Sequence, residues 1–270
     1  MRRLAAVGAA IGLLLVACGG GGNPATVTAL RDAPKRTTDA KTARMEVVIE
    51  RPGAEGAPPA PITLAGEADC QAHRGHMLID LSQLGLPGPP VDAVFDNATV
   101  YEKFPQALAG ALPAGKSWVK VDLATAGATV GANGATDPCQ ALDYLRGTSD
   151  RVTRVGSEDV RGTQTAHYRA VVDLNKAAER SPTSREQIKS TIKLLGTSTQ
   201  PLEVWIDAEG RVRRMKYAVD LSKSKATAST TAAPGSATFT LDLFDFGVPV
   251  QATLPPPDQV ADLSALTGGK

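Results

Sequence analysis

From residue 42 onward most of this chain alternates between apolar and polar side chains. That period of two restricts it to strands with one buried face. In residues 42–51, Ala43, Met45, Val47 and Ile49 share one side, against Arg44, Glu46 and Glu50 on the other. Ile62, Leu64, Gly66, Ala68 and Cys70 repeat the pattern against Thr63, Glu67 and Asp69, and Met77, Ile79 and Leu81 follow. Residues 91–95 and 99–104 flank Asp96-Asn97, a hairpin turn, and residues 117–122 add a further strand. In the second half, residues 152–160 and 163–174 meet at Arg161-Gly162, with Ala166, Tyr168, Ala170, Val172 and Leu174 on one side. Residues 202–206 turn through Asp207-Ala208-Glu209-Gly210 into residues 211–221, where Met215, Tyr217, Val219 and Leu221 alternate with Arg214, Lys216 and Asp220. A last strand, residues 237–246, contains Leu241.

Three stretches break this period. Residues 25–40 suit a helix, with a break expected near Pro34. Thr136-Asp137-Pro138 supplies a cap and a first-turn proline for a short helix over residues 139–146, stopped by Gly147. Residues 182–195 form the longest helix, with Ile188, Ile192 and Leu195 on one stripe. Residues 123–135 and 223–236 read as loops, and the tail passes through Pro255-Pro256-Pro257. The sum is an α+β domain of about nine to eleven antiparallel strands with two or three helices, favouring a curved sheet or open barrel. So little helix covers only part of so large an apolar face. The sheet therefore closes on itself or holds a ligand against its concave side.

The first residues constrain location. Arg2 and Arg3 precede an apolar run over residues 4–16, too short to span a bilayer with comfort. Leu15-Val16-Ala17-Cys18 resembles the lipobox of bacterial lipoproteins. That resemblance implies a signal peptide of residues 1–17, cleavage before Cys18, and acylation of Cys18. Two or three acyl chains on one residue are enough for stable anchoring on the extracytoplasmic face of the cell membrane. Residues 18–23, four of them glycine, then form a tether, and residues 24–270 a single domain. Loss of residues 1–17 moves the formal charge from +1 to −1. A chain so near neutrality lacks the basic face that nucleic-acid binding requires. Aromatics make up only 4% of the chain, so the core is aliphatic and rich in β-branched residues.

Of the three cysteines, Cys70 and Cys139 remain after Cys18. An even pair in an oxidising compartment most often forms a disulfide. Free thiols serving redox chemistry or a metal are the alternative, and no Cys-x-x-Cys spacing supports it. The bridge would clamp the helix beginning near Cys139 onto the sheet.

Catalytic and metal patterns are weak. His73 and His76 have the spacing of a metal pair on a helical turn, but they fall in a hairpin turn beside Arg74 and read as solvated. His167 shares a polar strand face with Thr165, Arg169 and Asp173, and reads as a cross-strand surface residue in the absence of any Gly-x-Ser-x-Gly elbow. Acids are scattered, and no dinucleotide or phosphate-loop glycine pattern occurs. Trp118 and Trp205 lie opposite in parity to the aliphatic faces, to line a rim or pack under a helix. The expectation is a non-enzyme that needs no cofactor and no metal.

Several segments together resemble the actinobacterial lipoproteins of the LppX–LprG type, relatives of the LolA and LolB lipoprotein carriers. They are the lipobox at Cys18; Ser117-Trp118-Val119-Lys120-Val121-Asp122; Val155-Gly156-Ser157-Glu158-Asp159-Val160-Arg161-Gly162, leading into Thr165-Ala166-His167-Tyr168; Val204-Trp205-Ile206-Asp207-Ala208-Glu209-Gly210; and Phe246-Gly247-Val248-Pro249-Val250. The resemblance implies a strongly curved antiparallel half-barrel with helices across its concave face, enclosing an apolar cavity for acylated lipids or glycolipids. An envelope transporter or acceptor protein would then be a partner. The aliphatic faces supply cavity candidates: Met45, Val47, Ile49, Leu64, Ile79, Val172, Val219 and Leu241. Two stretches, residues 52–61 and 223–236, depart from the pattern and reshape the expected cavity mouth. A sensor or protein-interaction module on the same fold, without lipid cargo, is the rival expectation.

Overall fold

A computed structural model describes residues 23–50, 61–82, 88–104, 110, 112–122, 138–220 and 235–262. The segments expected to be a signal peptide and a tether, with Cys18, and residues 51–60, 123–137 and 221–234, with Leu221 among them, lie outside the described residues.

A helix, α1 (Pro24–Asp39), leads into six strands in succession: β1 (Thr42–Glu50), β2 (Ile62–Asp69), β3 (Arg74–Asp80), β4 (Val91–Asp96), β5 (Thr99–Lys103) and β6 (Trp118–Asp122). Helix α2 (Pro138–Asp143), continued by a 3-10 turn over Tyr144–Gly147, connects to β7 (Thr148–Val160) and β8 (Thr163–Asp173). Two helices follow, α3 (Leu174–Arg180) and α4 (Arg185–Leu195). Strands β9 (Thr199–Ile206), β10 (Val212–Asp220), β11 (Ser236–Phe244) and the short β12 (Val260–Asp262) complete the chain.

The strands form one curved, open sheet in the order β12-β6-β5-β4-β3-β2-β1-β11-β10-β9-β8-β7. It consists of two antiparallel meanders, β1 to β6 and β7 to β11, joined where β1 pairs with β11 from Arg44↔Phe244 to Glu50↔Thr238. This is the expected α+β half-barrel, with two additions. β12 extends the sheet to twelve strands and runs parallel to β6, with Ala261 opposite Val119. α3 makes a fourth helix among the described residues; the Asp173 carboxylate accepts hydrogen bonds from the Asn175 and Lys176 amides and caps its first turn.

The hairpins turn where small loops allow a left-handed backbone. Arg161 and Gly162 have φ of 51° and 79°, the signature of a two-residue turn whose twist matches its strands. Asn97 has φ of 54° in the β4–β5 turn.

Pro34 does not break α1. The helix runs through it, with Pro34 buried alongside Val27, Leu30, Ala33 and Thr37. Burial of that stripe outweighs the one helical hydrogen bond the proline cannot donate. Thr37 fixes the helix to the sheet: its hydroxyl donates to the Ala33 carbonyl at 2.7 Å and accepts from the Val212 amide at 2.9 Å.

Candidate functional site

Strand register assembles the aliphatic faces into a continuous surface. Tyr168, Val204, Met215, Leu241, Val47, Leu64, Ile79 and Val91 are successive cross-strand neighbours from β8 to β4. Each pair lies side by side on one face of the sheet. The helices lie over this face, and α1, α2, α3 and α4 contribute Leu30, Leu142, Ala177 and Ile188 to the same core.

Among the cavity candidates, Met45, Val47, Ile49, Leu64, Val172, Val219 and Leu241 are buried in that core, with Met45 and Ile49 at 1% exposure and Val172 at 0%. Ile79 is half-buried against it, together with Leu81. Across β5, Val119, Val121, Leu112 and Ala261 form a second, smaller apolar cluster with Phe104 against it. Between the two clusters stands Glu102, opposite Ala93 on β4 and Val119 on β6. Burial pushes its carboxyl above the usual carboxylate range. Sequence parity could have found it, because Glu102 shares a strand face with Val100, but its charge places it with the solvent-facing residues in any hydropathy reading.

Aromatic groups line the helix-covered side. Tyr217 stacks on Phe239 with ring centroids 5.3 Å apart and meets Tyr144 edge-on at 6.2 Å. Burial raises the Tyr217 phenol far above its ordinary value. Cys70, just beyond β2, is joined to Cys139 in α2, with Cα atoms 5.2 Å apart. The bridge ties the helical layer to the β2–β3 turn of the first meander.

The opposite face carries an ordered polar network that the sequence did not disclose. His167 is buried, not a surface residue: its side chain is 5% exposed. Its Nδ1 lies 2.8 Å from a Glu158 carboxylate oxygen and its Nε2 2.7 Å from Glu203. Trp205, its cross-strand neighbour, stacks on the imidazole at 4.1 Å between centroids, and the indole donates to Glu158 at 2.8 Å. Trp205 thus packs against strand β8 on the outer face, neither at a cavity rim nor under a helix. Hydrogen bonds from Trp205 and His167 hold the Glu158 carboxyl below its usual range. Next in register, Asp242 accepts two hydrogen bonds from Arg214 at 2.6 Å and one from Arg161 at 2.8 Å, while Arg161 also pairs with Glu46. Burial would raise the Asp242 carboxyl, but these guanidinium hydrogen bonds and charges more than offset it and leave it lowered. Arg161 stacks over Phe244 at 4.3 Å.

The remaining histidines separate. His73 sits in the β2–β3 turn with φ of 50°, whereas His76 belongs to strand β3 and faces Asp92 at 3.2 Å, not solvent in a turn. No group of three or more metal-ligating side chains occurs among the described residues. Trp118 is half-buried where β6 pairs with β12. No helix of the described residues is long and apolar enough to cross a membrane.

No family model matches the chain. In an alignment 201 positions long that covers 67% of this chain, it is 30% identical to an uncharacterized 31.2 kDa protein of Streptomyces griseus encoded in the rplA–rplJ intergenic region. The match spans 64% of that relative's length. In fold the chain is similar to the Mycobacterium tuberculosis lipoprotein LppX, at 13% identity, with 86% of this chain and all of the other covered and a TM-score of 0.49. It is also similar to LprF of Mycobacterium bovis, at 15% identity over 87% of this chain and 99% of the other, with a TM-score of 0.45.

Proposed function

We propose that this chain is an envelope lipoprotein, acylated at Cys18 once residues 1–17 are removed, that shelters the acyl chains of a lipid, glycolipid or lipoprotein against its helix-covered face and passes them on. The observation that carries this reading is the apolar row eight strands wide on a sheet whose edges do not meet. Its end at β3 and β4 is incompletely covered: Ile79, Leu81, Val91 and Phe104 are each only half-buried. That end is where an acyl chain would enter; Leu64 and Val47 continue the row inward, and the other cavity candidates lie deeper.

Transfer of a sixteen-carbon chain from water to such a face gains on the order of 12 kcal/mol, at roughly 0.8 kcal/mol for each CH₂. From a membrane it gains close to nothing, so direction comes from mass action or from an acceptor protein. This chemistry is binding and release, and it draws on no catalytic group or cofactor.

One observation favours a second reading, a protein-interaction module. Seven of the eight cavity candidates are packed in the core, as a filled fold without cargo would have them. Native mass spectrometry of the chain made in its own host with Cys18→Ala separates the two, since no anchor acyl group can then be mistaken for cargo. A co-purifying lipid, displaced in Ile79→Trp, is the result expected of a carrier. A stoichiometric protein partner with no lipid in either form establishes the module instead.

A further inference from the structure

A concavity runs along β7 to β10 and reaches the β7 edge, lined largely by the polar face that these strands turn away from the row just described, with Arg154, the partner of Tyr168, at that edge. It is a cleft of about 810 Å³. Arg151, Arg154, Arg169 and Lys216 line it, with Glu203 their only acidic neighbour in its wall. That acid is already engaged: one oxygen meets His167 at 2.7 Å and the other lies 3.5 Å from Arg169. Asp150, beside Arg151 in sequence, leans towards Arg31 at 3.9 Å. Arg154 donates only to the neutral Ser157 hydroxyl, at 3.0 Å. The cleft therefore carries surplus positive charge within a domain whose mature chain is close to neutral. Its floor includes Val171 and Ala218, small apolar side chains that leave room between the cations.

Asn23 forms part of the cleft wall. It stands five positions after Cys18, so a chain anchored there holds this wall within about 18 Å of the membrane surface even when the intervening residues are fully extended. We propose that the cleft docks the domain on the anionic headgroups of its own membrane, taking the phosphates of phosphatidylglycerol-type lipids. The proposal rests on the reading of Cys18 as the anchor. It adds an orientation: the polar outer face of β7 to β10 turns towards the membrane that carries the protein. Each cation near an anionic surface strengthens binding about fivefold. Four together turn a loose tether into a preferred pose.

Co-sedimentation of the full chain carrying Cys18→Ala tests this without the acyl anchor. Vesicles of phosphatidylcholine alone are compared with vesicles that also contain phosphatidylglycerol; the leader, whose Arg2 and Arg3 also favour anionic vesicles, is common to parent and variants, so the difference between them reads the cleft. The docking predicts stronger binding to the anionic vesicles, lost at high salt. In Arg151→Gln/Lys216→Gln the preference should fall about 25-fold. Lys120→Gln, on strand β6 at the other end of the sheet, should leave it unchanged, and unaltered circular dichroism confirms that both variants fold. Equal binding to the two vesicles, or equal binding by parent and double variant, overturns the proposal. Displacement by excess inorganic phosphate at constant ionic strength also overturns it and makes the cleft a site for free phosphate. Mass spectrometry of Cys18 in unmodified protein from host membranes judges the anchor separately: an unacylated cysteine overturns that reading alone.

Discussion

The bridge between Cys70 and Cys139 offers the sharpest stability test. The two cysteines are separated by 69 positions, so the bridge closes a long loop containing β3 to β6. In the chain-entropy treatment, closing a loop of this length stabilises the fold by about 4 kcal/mol through the unfolded state. The sulfurs belong to residues only 6% and 4% exposed, so Cys70→Ala/Cys139→Ala also leaves a small void that costs about 1 kcal/mol more. For a domain of this size, a loss of 4 to 5 kcal/mol lowers the melting temperature by roughly 10–15 °C. Urea unfolding followed by circular dichroism measures the free energy, and differential scanning calorimetry the temperature. Because both thiols are buried, reductant must be added during unfolding and refolding to reach the bond. The reduced parent lacks the bridge but not the sulfurs, so it should lie within about 1 kcal/mol of the double variant on the more stable side. The slope of free energy against urea should rise in both, since an uncrosslinked unfolded chain exposes more surface. A parent with no titratable thiols whose stability does not change on reduction would refute the reasoning.

Other outcomes follow from single side chains. Gly66→Ala should cost about 3 kcal/mol in urea unfolding, because an added Cβ would stand 2.0 Å from the His76 carbonyl oxygen and 2.7 Å from the Met77 Cα, both backbone atoms of the paired strand. The Asp242 carboxyl is lowered in the fold, so its contribution is present above the unfolded value near pH 4 and is lost as pH falls through the folded one. Asp242→Asn should therefore be less stable than the parent by roughly 2 kcal/mol at pH 7, and the gap should close at lower pH. Glu102 has the opposite sign: its raised carboxyl favours the fold only below the unfolded value near pH 4 and opposes it as pH rises. Glu102→Gln should gain about 1 kcal/mol at pH 7 and nothing near pH 4; equal gains at both would show that solvation of the ionised carboxyl is not the cause.

Local pattern located nearly every strand. Residues 42–51, 62–70, 202–206 and 237–246 carry a period of two that only a half-buried strand satisfies, and β1, β2, β9 and β11 occupy them within a few residues. Turn chemistry was equally local: Arg161-Gly162 adopts the left-handed backbone expected there, and the other hairpin turns at Asn97-Ala98, one residue later than Asp96-Asn97, because Asp96 still pairs with Thr99. Short elements escaped. Seven residues of α3 and three of β12 are too few to display a period, and each exists because a neighbour holds it, the Asp173 cap in one case and β6 in the other.

What the sequence determined by itself was which side chains share a face, because backbone geometry within a strand fixes that without reference to the rest of the fold. Only the tertiary structure decided which strands lie together and how deeply each face is covered. The pairing of β1 with β11 joins segments about two hundred residues apart and makes one row of Val47 and Leu241. The same packing buried His167 between Glu158 and Glu203, although its parity alone had placed it on a solvated face. Burial of a polar residue depends on partners from other strands, and strand periodicity contains no record of them.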